Sequence, residues 1–597
     1  MGGSHASDLP QSPVAPRRAG GPGLRALRWI VERHGAALAL LALGLGAIVA
    51  RGPLPSDETR YIEVAREFEP GRPLTLQLNG VPYAHKPPLA FWLAELLHAL
   101  GLEIELTLRL IPLLASAATC VLVARLGRRL GVRHADWVFA SLLLPLGYAQ
   151  VLLLDPLLVF AVWLALDAWW HGRDALTVVG AALAFLAKGP VAVLFLLPLG
   201  FALTPLRPRT RARAAGLTDA VFGSAALVWL LGAAPRLQHL LGADARTPVT
   251  LAWSLLATCA AACAVAATGT RPAAAARLLA DVSLGALALA AWAFEASLRG
   301  GATFARDLLV HQTRDRMAES FAHSQPFWFY APILLVGLLP AVPALAFARP
   351  TGLLRRVAWA VALALLALSF VDQKQPHYLL PLVPAFALLL AQAFEASARV
   401  RALWEVSASW VLGVLLAAVV LGWPLMALLA PSRYGDYALD LAANPAAWLA
   451  WSLAVSAGSF CLAQVLRRGA PLRSSAAALV LGIAVLALPV HRALDLLTTP
   501  RGLMSALREV PTVPLATYRC FQGGYFNWLG ARDRVTRLEG PEDLRTWCTQ
   551  HPGGLLVSFD EGGADLADQG LVGVANDRYR GRGVGLYRVD AHTSTSP

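Results

Sequence analysis

Apolar runs recur about thirteen to fifteen times between residues 35 and 494, many of them roughly 17 to 25 residues long, the length a helix needs to cross a bilayer. In lipid each backbone donor and acceptor must find its partner inside the segment, so such runs fold as helices. The expected fold class is therefore an all-α polytopic membrane protein with about 13 transmembrane helices. Composition agrees: 57% of the 597 residues are hydrophobic and 15% are charged, which excludes an ordinary soluble enzyme.

The net charge of +13 does not indicate nucleic acid. Its cations are nearly all arginines, and they punctuate the apolar runs without forming one long patch. Arg125, Arg128, Arg129 and Arg133 form one cluster, Arg207 to Arg213 another, and Arg271/Arg277, Arg349/Arg355/Arg356, Arg399/Arg401 and Arg467/Arg468/Arg473 follow. By the positive-inside rule these separators are cytoplasmic. The stretches 52–105, 299–326 and 372–377, and everything after about 495, then face outward.

Three units follow from this reading. Residues 1–34, rich in Pro, Gly and Arg, are expected to be a disordered cytoplasmic N-terminus. A charged leader ahead of a cleavable signal is the alternative, but the motif directly after the first span needs anchoring, so an uncleaved span is expected. Residues 35–494 form the membrane domain, with the outward loop 52–105 as its catalytic segment. Residues 495–597 form a small extracytoplasmic α/β domain, with strands at 554–559 and 584–589 and a helix at 541–550. Cys120, Cys259, Cys263 and Cys461 fall in apolar runs as packing residues. Cys520 and Cys548 lie in the outer domain, where a disulfide could form.

Chemistry concentrates in the outward loop. Asp57, Glu58, Arg60 and Tyr61 fall on one short amphipathic helix ended by Pro70 and Gly71. Ser56 as N-cap and two acids in the first turn would also serve the helix dipole alone. Next come a short strand over 74–78, the turn Asn79–Gly80, and Tyr83-Ala84-His85-Lys86-Pro87-Pro88 at the entrance of another helix. The prolines remove backbone donors there, so an anion would have to be held by Lys86 itself.

Lys86, Lys188 and Lys374 are the only lysines in a chain that otherwise writes its cations as arginine. All three fall at outward ends or loops, against the positive-inside rule. A compact charge directed at phosphate accounts for that placement; snorkelling at the interface is the bland alternative. Asp155 interrupts an apolar stretch at the outer end of two spans, where a carboxylate needs a partner or a task. The loop 299–326 contributes Arg306, His311, Arg314, Arg316 and His323 ahead of the aromatic run 327–330, either for anionic headgroups or as a solvated face. Among these, Arg316 and His323 are the substrate-binding candidates.

The motifs Asp57-Glu58-x-Arg60-Tyr61, Asn79-Gly80-x-Pro82-Tyr83-x-x-Lys86-Pro87-Pro88, Asp155-Pro156, Lys188-Gly189, Pro326 to Tyr330 and His377-Tyr378-Leu379-Leu380-Pro381 resemble the bacterial aminoarabinose transferases that modify lipid A, and the wider protein-mannosyltransferase-like group. The resemblance runs to about residue 400. It implies a GT-C fold in the inner membrane, an active site on the periplasmic side, a polyprenyl (undecaprenyl) phosphate-linked sugar as donor, and lipid A or another envelope molecule as acceptor. It further implies that Asp57 is the central acid, that Asp155 is a second functional acid, and that Lys86 and Arg60 contact the carrier phosphate. Lys188 is assigned to the same phosphate. Glu58, Tyr61, Tyr83, His85, Lys374, His377 and Tyr378 are further substrate-binding candidates. His85 stands where the aminoarabinose transferases carry an acidic residue, which leaves sugar and acceptor open. No cofactor is required; a divalent metal is compatible with the acidic cluster, but no ligand spacing demands one.

A lipid flippase or transporter is the competing reading, as is a transferase acting on protein hydroxyls or another envelope glycan. Transporters concentrate charge near the bilayer midplane on broken helices, whereas here the charges lie at outer loop ends. An envelope scaffold would not depend on Asp57.

Overall fold

The computed structural model describes residues 22–54, 57–78, 80–204, 236, 239–240, 273–309, 325–370, 374–429, 445–467, 471–509, 513–518, 535–559, 566, 570–579 and 582–590. Among them are eight helices long and apolar enough to cross a membrane, and three shorter apolar ones. The bundle opens with α1 (Pro22–Ala50), which begins inside the 1–34 segment expected to be disordered. The outward loop holds α2 (Asp57–Arg66), the hairpin β1 (Gln77–Leu78) and β2 (Val81–Pro82), and α3 (Leu89–His98). Then come α4 (Ile104–Arg129), the short α5 (Ala135–Ser141) and α6 (Leu143–Tyr148), α7 (Asp155–Trp170), α8 (Asp174–Lys188) and α9 (Val193–Leu203). The remaining bundle helices are α10 (Ala273–Arg306), α11 (Tyr330–Gly337), α12 (Gly352–Ser369), α13 (Val383–Ala396), α14 (Ala398–Leu429), α15 (Pro445–Val465) and α16 (Leu472–Thr498).

Small residues bring these helices together, as expected where lipid offers no hydrophobic drive between apolar faces. A Cβ on Gly180 of α8 would stand 2.6 Å from the Ala165 nitrogen of α7, and one on Gly285 of α10 would stand 2.5 Å from the Ala181 Cβ of α8. On the periphery, Trp359, Trp410, Leu421 and Phe460 of α12, α14 and α15 are left exposed; in a membrane protein this apolar surface is the lipid-facing one.

Polar contacts fix the two ends. At one end Arg473 of α16 meets His134, just beyond α4, through Nε and Nδ1 2.8 Å apart. At the other, Gly52 beyond α1 donates to Asp495 of α16 at 2.9 Å. The first end carries the arginine clusters and is cytoplasmic by the positive-inside rule; the second carries the outward loop.

Beyond α16 lie α17 (Arg501–Arg508) and a five-stranded sheet ordered β4-β3-β5-β7-β6, with α18 (Pro541–Gln550) between β4 and β5. The strands are β3 (Leu515–Tyr518), β4 (Thr536–Leu538), β5 (Leu555–Phe559), β6 (Leu571–Tyr579) and β7 (Arg582–Val589). β3 runs parallel to β4 and β5, and β7 antiparallel to β5 and β6. Alternation along β5 sends Leu555 and Val557 to the face covered by Leu503 and Leu507 of α17, and Leu556 to the face covered by Leu544 and Trp547 of α18. Cys548 is buried on α18; the Cys520–Cys548 pairing falls on a residue outside those described.

Candidate active site at the outward end

Two adjacent carboxylates at the start of α2 take opposite environments. Glu58 points inward: Arg51 donates to it bidentately at 2.8 and 2.9 Å, and the Leu54 and Leu152 backbone amides complete its shell at 2.8 and 2.9 Å. Its side chain is 2% exposed. Each of its acceptor positions is taken within the protein, which gives Glu58 a local structural task. Asp57 turns outward, pairs with Arg60, and keeps 45% of its side chain exposed.

Around Asp57 the outward loop folds back on itself. Tyr61 packs edge-on against Phe91 of α3, with ring centroids 6.4 Å apart. The Arg60 guanidinium and the Lys86 amine lie 5.6 and 5.8 Å from the Tyr61 ring centroid, within cation–π range. Burial first, and then the Asp57 charge, push the Tyr61 phenol above its ordinary range. It stays protonated at neutral pH, able to donate a hydrogen bond and unable to act as a base. Lys86 sits two residues before Pro88, which caps α3, in keeping with an amine supplied where backbone donors are missing. The rings of Tyr83 and His85 lie 5.2 Å apart on the same segment.

A second cluster abuts the first. Asp155 opens α7 and is 3% exposed. The Lys188 amine donates to it from the end of α8, where Gly189, at φ +80°, turns the chain sharply into the next helix. The same amine stands 4.6 Å from the Tyr378 ring centroid, and His377 Nε2 lies 3.8 Å from Asp155. Tyr61 feels the charge of Asp155, and His377 those of Lys86 and Asp57, so the two clusters share one electrostatic site. Lys374, 4% exposed, donates to the Gln325 carbonyl at 2.8 Å, which gives it a local structural task. Arg306 ends α10; Arg316 and His323 lie outside the described residues. No group of three or more His, Cys, Asp or Glu suited to a metal ion occurs among the described residues.

Two residues were missed. Arg51 carries a guanidinium at the outward end of the first span, and the rule that flagged the lysines flags it equally well. Tyr148, whose ring centroid is 6.0 Å from that of His377, carries no sequence signal; only the fold brings it there. Beside Tyr148 an apolar cleft of about 590 Å3 opens between α6 and α11, lined by Leu143, Leu144, Val151, Ile333 and Val336 among others.

The chain superimposes on the crystal structure of ArnT from Cupriavidus metallidurans bound to undecaprenyl phosphate, with a TM-score of 0.64, 96% of this chain and 100% of that one covered, and 18% identity. The fold is the GT-C fold of ArnT. The apo form of that protein matches with a TM-score of 0.61. In sequence, the chain is 28% identical over 385 residues to an "Undecaprenyl phosphate-alpha-4-amino-4-deoxy-L-arabinose arabinosyl transferase" of Pseudomonas aeruginosa (strain LESB58), covering 62% of this chain and 61% of that relative. A protein of the same name from Enterobacter sp. (strain 638) is 26% identical over 356 residues, covering 56% of this chain and 54% of its own length. The chain thus matches less than two thirds of the length of these curated relatives. No family model matches it. The likeness in fold extends through the outer sheet, beyond the reach of the sequence motifs.

Proposed function

We propose that the protein is an integral-membrane glycosyltransferase of the bacterial inner membrane. It moves a sugar, 4-amino-4-deoxy-L-arabinose or a related aminosugar, from a polyprenyl phosphate to lipid A on the periplasmic face. The observation that carries this reading is the convergence of Asp57, Arg60 and Lys86 with Asp155, Lys188 and His377 at the outward end of the bundle. Curated relatives named for this reaction support the choice of sugar and carrier.

In the step itself the bond between the anomeric carbon and the phosphate oxygen breaks, and its electron pair leaves on the phosphate. The leaving group is already a stable anion and needs little acid; it needs cations that hold the developing charge. Lys86 and Arg60 supply them at the loop, and Lys188, anchored on Asp155, supplies a third. The acceptor oxygen bonds the anomeric carbon from the opposite face, and a single displacement inverts it. With a hydroxyl acceptor, the half-exposed Asp57 takes the proton. A lipid A phosphate arrives as an anion, and Asp57 then orients the sugar or its amine. The apolar cleft beside Tyr148 suits the polyprenyl tail.

The test is mass spectrometry of lipid A from host cells with the gene intact, deleted, and carrying Asp57→Asn. The aminosugar increment is expected only with the intact gene. An unchanged lipid A pattern in a strain that demonstrably expresses the protein overturns the acceptor and directs attention to envelope glycoproteins and other glycans.

A further inference from the structure

At the end of the bundle opposite the reactive cluster lies a second polar concavity. It has a volume of about 430 Å3, within the usual range of small-ligand sites of about 300–1,000 Å3. It lies where α1, α4, α5 and α16 meet, and Arg33, Arg128, Arg133 and Arg473 line it against only two acids, Glu32 and Asp136. Arginines that merely set topology need not converge on one hollow.

The local structure holds one guanidinium in place. Gly131, at φ +75°, turns the chain out of α4, and His134, at φ +59°, is the one non-glycine residue with positive φ among those described. A left-handed backbone at such a residue is costly and persists where its surroundings require it. Here it lets His134 Nδ1 accept from Arg473 Nε at 2.8 Å. Burial, and then the charges of Arg473 and Arg133, push the His134 imidazole below its usual range, which keeps that nitrogen available as an acceptor. The contact uses Nε and leaves the two terminal nitrogens of Arg473 for the hollow. The Arg128 guanidinium, in the last turn of α4, makes no side-chain hydrogen bond or close ion pair among the described residues, although its charge reaches Asp136 across the hollow.

We propose that this hollow binds the phosphate of an anionic lipid headgroup in the cytoplasmic leaflet. A guanidinium fork matches phosphate oxygens bidentately. Basic hollows between helix ends on the cytoplasmic side suit anionic headgroups, which the surface potential of that leaflet concentrates nearby. Occupancy would tie the cytoplasmic ends of α1, α4 and α16 together, far from the chemistry and independent of it.

The experiment uses the full-length protein in detergent with cardiolipin or phosphatidylcholine added, bound lipid being counted by native mass spectrometry and glycerol 3-phosphate added as a soluble competitor. The parent should retain cardiolipin in preference to phosphatidylcholine. Arg128→Gln and Arg473→Gln should each reduce that retention at least fivefold, whereas Glu32→Gln, which removes an opposing charge at the exposed rim, should raise it. The Glu32→Gln arm keeps the test decisive if an arginine variant is poorly folded: a gain supports the site, and no change counts against it. Displacement of cardiolipin by glycerol 3-phosphate, with equal retention of both lipids afterwards, keeps the phosphate site but assigns it a soluble ligand. Equal retention of both lipids from the outset, or cardiolipin retention that ignores both arginines, overturns the proposal.

Discussion

Asp57 and Glu58 are neighbours with the same functional group, and their surroundings give them different work. Both carboxylates looked alike in the sequence because a first-turn acid and a catalytic acid are written identically. Only the position of Arg51 and of the Leu152 amide, 94 residues further on, separates them. Glu58→Gln keeps the shape and removes the charge, leaving the Arg51 guanidinium buried without its counter-ion, a loss of about 3–5 kcal/mol. Thermal unfolding in detergent should show a clearly lower midpoint for Glu58→Gln. Asp57→Asn, by contrast, should leave the midpoint near that of the parent. Equal midpoints for the two single variants would contradict this division of roles. The three lysines differ in their surroundings: Lys86 and Lys188 stand at the outward cluster, while Lys374 serves a backbone carbonyl. Rarity marks a residue as worth keeping without saying for what.

Single elements were legible where a local rule governs them. The helix at Asp57, the hairpin around Gly80, the helix from Pro541 to Gln550 and, to within two residues, the strands expected at 554–559 and 584–589 follow from turns and alternation; Ser56, the expected cap, lies outside the described residues. The region between α4 and α7 was not legible, because α5 and α6 are apolar, short and broken, and a hydropathy run does not distinguish two packed half-helices from one span. Helix contacts were equally hidden, since they depend on which glycine meets which neighbour. Gly180→Leu should force α7 and α8 apart at Ala165, where even a single added carbon has no room. Overpacking of this kind costs about 1–3 kcal/mol, and because α7 carries Asp155 and α8 carries Lys188 it should also slow transfer. Thermal unfolding and a transfer assay check both effects; a variant with parental stability and rate would count against close packing at this contact.

Across the molecule, the outward ends of the first and last major helices are locked to the site and to the outer sheet. Asp495 of α16 accepts from Gly52 at 2.9 Å and pairs with Arg501, and Asp577 of β6 accepts from the Gly502 amide at 2.8 Å. His491 reaches the side-chain oxygen of Gln150, whose backbone carbonyl accepts from Arg51, the partner of Glu58. Asp495→Asn should therefore loosen the outer domain: hydrogen exchange should quicken at least several-fold across Arg501–Arg508 and at Gly52, and stay unchanged in the interior of α7. Unchanged exchange at both places would show that the sheet docks without this contact. None of this network was legible in the sequence, because its members are up to 443 positions apart.

We propose that the outward cluster transfers a sugar from a polyprenyl phosphate. The most direct test is the release of undecaprenyl phosphate from an undecaprenyl-phosphate-linked aminoarabinose by the purified protein in proteoliposomes containing lipid A. The parent should release carrier in step with modified lipid A, and Asp57→Asn and Lys86→Gln should each be slower by on the order of 100-fold or more at parental stability. Absence of release by the parent, or an Asp57→Asn rate equal to the parental one, would rule this transfer out.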